Sequence, residues 1–296
     1  MRQLGQLMET HAVVATATDV GCVRQVNEDA VHVVRATAGA QPRGMLAVVC
    51  DGMGGHAGGS VASRMAIDAI VREWRAMDDG AEALQRALTI ANRAIVSMSE
   101  RNHELRGMGT TCVALLFRNS KVWCAHVGDS RCYMLRDGAL HRMTEDHSAV
   151  MEMVRDGKIT ADSARTHPLR NVIRRALGAR VDVDVDMWKS PQDLQAGDQF
   201  LLCSDGLHEM VDDGELCQIL TDYSPRQACD LLVDLARSRG APDNVTIALI
   251  AMPSIDDSDD QQVFNHIGDA RVDHVSFLEP AQHRTSNCKT WPVLAQ

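Results

Sequence analysis

Short apolar runs rich in Val, Ile, Leu and Cys recur along the chain at 12–18, 29–35, 45–50, 110–117, 121–128, 131–136, 199–203 and 244–251. Their length and composition predict β-strands. Asp137-Gly138 lies between CYMLR and ALHRM, a two-residue hairpin signal that makes the adjacent strands antiparallel. Longer stretches carry the helical period instead. Ile67, Ile70, Val71 and Trp74 form one stripe, and Leu84, Leu88, Ala91, Ile95 and Met98 form a second. A third helix is expected to open at Ser224-Pro225, to turn Ala228, Leu231, Leu232 and Leu235 inward and to stop at Gly240. Hairpins with segregated helices predict a layered α+β domain rather than a doubly wound sheet.

Residues 146–180 break this rhythm with few strand features and many Arg and His. A short helix from Ser148 to about Arg155, a stop at Gly157 and an irregular stretch predict a surface flap over about 146–166. Beyond Pro253 the composition shifts, and IDDSDDQQ (255–262) reads as a solvated acidic linker to a tail of unassigned role. The expected organisation is an extension at 1–11, one domain at 12–252 and a tail at 253–296.

Composition narrows the function. Hydrophobic residues make up 45% of the 296 residues, enough for a sizeable core. Aromatics at 3% and a net charge of −10 disfavour nucleic-acid binding, although metal cations can still bring phosphate to an acidic surface. The nine cysteines are an odd number without a CxxC pair, and most sit in apolar runs. They read as buried thiols rather than zinc ligands. The N-terminus lacks a signal-peptide pattern and no run approaches the ~20 apolar residues of a membrane span, so a cytoplasmic protein is expected.

Candidate chemistry lies at the strand ends. Asp51 follows MLAVVC and enters a glycine-rich turn, Asp205 follows FLLCS, and Asp243 precedes the last strand; Glu28 stands in RQVNED. Exposed carboxylates at several strand ends suggest one oxygen-rich metal site, to which the Gly52 region adds a backbone carbonyl. Packed together without cations they would repel, so a pair of Mg²⁺ or Mn²⁺ ions is the natural counter-charge. Two such ions about 3.5–4 Å apart can activate a water for in-line displacement at phosphorus. Arg24 could grip two phosphate oxygens, and His56 could protonate a leaving alkoxide. Cys112 and Arg118 have the spacing of a cysteine-phosphatase loop, but Val-Ala-Leu-Leu-Phe between them is a buried strand pattern.

The ordered series TDVGCVRQVNED (18–29), DGMGGHAGG (51–59), GTT (109–111), HVGDSRCY (126–133), TEDHS (144–148), HPLRNVIRRALG (167–178), GDQFLLCSDGL (197–207) and DN (243–244) resembles the PPM, or PP2C-type, family of metal-dependent protein serine/threonine phosphatases in its compact bacterial form. The resemblance covers about 12–252 and implies a four-layer α-β-β-α sandwich, two antiparallel sheets flanked by helices. It implies that Asp51 bridges two Mn²⁺ or Mg²⁺ ions, that Asp205 and Asp243 hold the first, and that Glu28 and the Gly52 carbonyl hold the second. Arg24 would bind substrate phosphate and His56 would be the general acid; Asp129 would support a third, weaker ion, with Asp162 a candidate flap partner. The implied protein is a monomer acting on phosphoproteins and opposing a Ser/Thr kinase, with no nucleic-acid or membrane partner. A silent phosphoprotein-binding module on the same fold is the alternative, disfavoured by the presence of all four metal carboxylates.

Overall fold

The structure, a computed structural model, describes residues 11–36, 44–54, 58–76 and 81–253. Nearly all of the tail and most of the N-terminal extension therefore lie outside the described residues. Two antiparallel sheets form its centre. The first comprises β1 (Val13–Asp19), β8 (Arg131–Arg136), β9 (Ala139–Arg142), β12 (Gln199–Cys203) and β13 (Val245–Ala251), in the order β1-β13-β12-β8-β9. The second comprises β2 (Ala30–Arg35), β3 (Met45–Cys50), β6 (Cys112–Arg118), β7 (Lys121–Val127) and β10 (Asp186–Met187), in the order β10-β7-β6-β3-β2, with β11 (Gln192–Asp193) also on β7. A two-residue pair, β4 (Gly52–Met53) with β5 (Gly109–Thr110), lies beside them.

Side-chain parity separates the layers. Met45, Ala47 and Val49 of β3 face Phe200 and Leu202 of β12 and Ala248 and Ile250 of β13 across the sandwich. The alternate residues Leu46, Val48 and Cys50 face outward onto α1 (Gly58–Ala76) and α2 (Ala81–Arg101). On the other side Leu201, Cys203, Ile247 and Leu249 pack under α5 (Asp205–His208), α6 (Asp213–Asp222) and α7 (Pro225–Ser238). Both faces of each central strand are thus covered, which is why these strands read as continuous apolar runs rather than alternating ones. The Phe117 and Phe200 rings meet edge to face between the sheets, with centroids 5.4 Å apart.

The helix stripes agree with their period except at two positions. Leu231 is 38% exposed because the buried arc of α7 runs through Ala228, Leu232, Ala236 and Cys229, and Leu231 falls roughly 60° outside it. Met98, in the last turns of α2, is also exposed. The stretch read as irregular holds a second short helix. After α3 (Ala149–Arg155), capped by Ser148, the flap contains α4 (Ala161–Arg165), capped by Thr160. Asp137-Gly138 forms the β8–β9 turn, with φ of 51° and 74°.

Antiparallel register brings one end of many strands together. Ala30 pairs with Cys50, Cys112 with Val127, Asp19 with Val245, and Cys203 with both Arg131 and Ile247. Residues just outside those pairs, namely Asp29, Asp51, Thr111, Asp129, Asp205 and Asn244, therefore collect at one end of the sandwich. Phe200→Ala, at the centre of the inter-sheet layer, is expected to cost about 3–5 kcal/mol of unfolding free energy by urea denaturation. A loss under about 1 kcal/mol would mean that this layer does not hold the sheets together.

Candidate metal centre

Asp51 is the best-anchored acid. Its N–H donates to Thr111 Oγ1 at 3.0 Å, and its carbonyl accepts from Thr111 N at 2.8 Å and from Thr110 Oγ1 at 2.8 Å. The backbone is pinned while the carboxylate remains for the cluster. Burial, followed by the charges of Asp29, Asp205, Asp129 and Asp243, pushes its pKa well above the carboxylate range. Asp205, at the first turn of α5, is raised in the same way by burial and by Asp129, Asp243, Glu209 and Asp29. Asp29 rises to about 6 through burial, although Ser204 Oγ donates to it at 2.8 Å. Asp129 rises to about 7 through burial and then Asp146.

Glu28 enters from a loop that Asn244 holds to the start of β13. Asn244 Oδ1 accepts from Glu28 N at 2.8 Å, and its Nδ2 donates to Val20 O at 3.0 Å and Val26 O at 3.1 Å. Ser63 Oγ of α1 donates to Glu28 O at 2.6 Å. Gly52 and Gly59 permit this approach. A Cβ at Gly52 would lie 2.2 Å from Gly59 O and 2.5 Å from Glu28 O, and one at Gly59 would lie 2.6 Å from Glu28 Oε1. Arg24 is half exposed at the rim, its Nη2 donating to Asp243 Oδ2 at 2.7 Å; that bond raises its pKa further.

The structure thus brings Asp51, Asp205, Asp243 and Asp129 within electrostatic reach of one another, with Arg24 beside Asp243 and Glu28 against Gly52 and Gly59. His56 lies outside the described residues. Asp162 is exposed in the first turn of α4. The expectation of exposed carboxylates is corrected: Glu28, Asp51, Asp205 and Asp243 are partly buried and Asp129 is buried. Their strands end inside the four-layer stack, and α1 and α5 start directly over them. Asp29, Asn244, Thr111, Ser204 and Glu209 also shape the site, although the sequence pattern does not single them out. The run N-E-D before a strand and the Asn after Asp243 were the available signals for the first two.

Divalent cations fit this donor set. Glu28 Oε1, Asp29 Oδ1, Asp129 Oδ1 and Asp205 Oδ1 are shielded from solvent without a hydrogen-bond partner. Such groups are costly unless something positive completes them. The donors are all hard oxygens, the chemistry that suits Mg²⁺ or Mn²⁺ rather than zinc held by sulfur.

Comparison with known proteins gives one family. The protein phosphatase 2C model matches residues 23–237. The serine/threonine phosphatase stp of Listeria monocytogenes is 39% identical over 240 residues, 79% of this chain and 93% of that protein. The serine/threonine protein phosphatase PstP of Mycobacterium tuberculosis is 36% identical over 279 residues, 92% of this chain, which spans about half (51%) of that longer protein. A crystal structure of the PstP catalytic domain in complex with two manganese ions superposes with a TM-score of 0.70 at 36% identity, covering 82% of this chain and 99% of that one.

If uncompensated charge is what strains the metal-free site, Asp51→Asn and Asp205→Asn should each raise the Tm of chelator-treated protein. The expected rise is about 3–6 °C, on the order of 1–2 kcal/mol. Both should remove the additional stabilisation by Mn²⁺. A lower Tm in chelator for both variants would refute this view of the cluster.

Proposed function

The chain belongs to the protein phosphatase 2C family, and we propose that the carboxylate cluster is the centre at which it hydrolyses phosphoserine and phosphothreonine in proteins. It is a metal-dependent protein serine/threonine phosphatase with phosphoproteins as substrates. The observation that carries the site assignment is the set of unpartnered, shielded oxygens on Glu28, Asp129 and Asp205 beside Asp51. In this reading residues 12–252 are the phosphatase domain, 146–166 its flap and 253–296 a tail.

Asp51 would bridge two cations; Asp205 and Asp243 would hold one, and Glu28 with the Gly52 carbonyl the other, while Asp129 supports a third, weaker ion. Bound there, the cations supply Lewis-acid activation of water and neutralise phosphate charge. Arg24 binds the substrate phosphate, exchanging its bond to Asp243 for phosphate oxygens as charge-assisted, bidentate contacts. His56 gives its proton to the departing serine or threonine oxygen. Thr111 and Asn244 keep Asp51 and Glu28 oriented, so little reorganisation accompanies substrate binding. The protein acts as a cytoplasmic monomer opposing a Ser/Thr protein kinase. Among the described residues no helix is long and apolar enough to cross a membrane.

Phosphate release from a phosphothreonine peptide is expected to require Mn²⁺ or Mg²⁺. It should fall by about 100-fold or more in Asp51→Asn, and kcat/KM by about 10- to 100-fold in Arg24→Ala. Turnover surviving chelation would sink the metal mechanism, and stoichiometric phosphopeptide binding without turnover would identify a silent binding module. Substitutions on the exposed faces of α3 and α4 are expected to slow phosphoprotein turnover more than that of a small aryl phosphate. Equal losses on both substrates would remove the flap from protein recognition.

A further inference from the structure

His147 stands where the flap, the turn carrying Asp129 and the edge strand β10 meet. Its backbone N–H donates to Gly128 O at 2.9 Å, and its Nδ1 accepts from Gly128 N–H at 3.1 Å. Both polar backbone groups of the residue before Asp129 are therefore held by one side chain and its own amide. Because Nδ1 accepts, the ring proton sits on Nε2, 3.0 Å from Asp186 Oδ2. Arg175 steadies that acceptor by donating to Asp186 Oδ1 at 2.9 Å. On the flap side His147 O accepts from Arg174 N at 2.7 Å, and Ser148 bridges to Ile173.

His126, His147 and Asp186 have the closeness of a metal-ligand group. Three contacts argue against that use. Arg175 already compensates Asp186, His126 Nε2 is tied to Glu145 O at 2.9 Å, and the two imidazoles stack at 4.7 Å with planes 19° apart, so their lone pairs do not converge. Asp186 and His147 instead form a hydrogen-bonded relay from Arg175 to Gly128, and His126 only stacks on it. It ends on the backbone of Gly128, next in the chain to Asp129, whose Oδ1 has no partner and whose backbone is held on both sides: Gly128 by His147, the Asp129 carbonyl by His208 Nε2 at 3.0 Å, and Ser130 Oγ by Thr111 Oγ1 at 2.7 Å.

We propose that His147 is a positioning residue for the phosphatase reaction, aiming the Asp129 carboxylate at the weaker cation position and joining that aim to the base of the flap. The inference rests on the reading of Asp129 given above.

Two isosteric changes separate its contacts. The amide oxygen of Asn reaches the place of Nδ1, whereas the amide nitrogen of Gln reaches that of Nε2. His147→Asn should therefore keep Mn²⁺-dependent turnover within about 3-fold of wild type. His147→Gln and His147→Ala should raise the Mn²⁺ concentration for half-maximal activity by about 10- to 100-fold. Tight Mn²⁺ binding by calorimetry and KM for an aryl phosphate should stay unchanged in both. Should His147→Ala fail to fold, Asp186→Ala at a half-exposed position should move the Mn²⁺ dependence in the same direction, since the imidazole loses the acceptor that fixes its tautomer. An unshifted Mn²⁺ dependence in the folded Ala variants, or an Asn variant as impaired as Ala, would overturn the proposal. Wild-type protein with no tight Mn²⁺ binding would instead remove the metal-site reading, and this inference with it.

Discussion

Mutual repulsion among carboxylates that the fold withdraws from water is the constraint on which this molecule turns. At this end of the sandwich Asp29, Asp51, Asp129 and Asp205 are pushed up first by burial and then by the charges of neighbouring carboxylates. An apolar end would be easier to fold. Retaining this one makes sense only with cations as counter-charges, so that the stability of the site and its chemistry share one cause.

The rest of the architecture holds that cluster in place. The antiparallel register of two sheets lets strands that run in opposite directions deliver acids to a common edge, and the helices above both sheets shield what is delivered. Neutral side chains supply the precision. Thr111 fixes Asp51, Asn244 fixes the loop bearing Glu28, and Ser204 contacts Asp29. Asp146, beside Asp129, and Asp198, remote from the cluster, are buried acids of another kind. Each is matched by a bidentate arginine, Arg131 for the first and Arg136 for the second, so each serves structure rather than chemistry.

Much of this was legible from residue patterns. Strands buried on both faces give uninterrupted apolar runs, and amphipathic helices give a 3.6-residue stripe; both are local consequences of burial. Asp51, Asp205 and Asp243 could be singled out because each adjoins such a run and has a small or amide neighbour. Leu231 and the carboxylates depart from the local pattern for one reason. How far a helix face or a strand end is covered depends on elements distant in sequence, here α7 against its sheet and α1 and α5 over the site.

Local periodicity, turn chemistry and side-chain type suffice to specify the layer type, the hairpins, the helix caps and the chemical identity of the acids. Tertiary packing selects which acids share one charge cluster and which are neutralised by arginine. It alone also decided that Gly52 and Gly59 close on Glu28, and that His147 ties the flap to the Asp129 turn. Electrostatic coupling and close packing act through distances of a few ångströms between residues tens to hundreds of positions apart, and that separation is set by the register of the sheets.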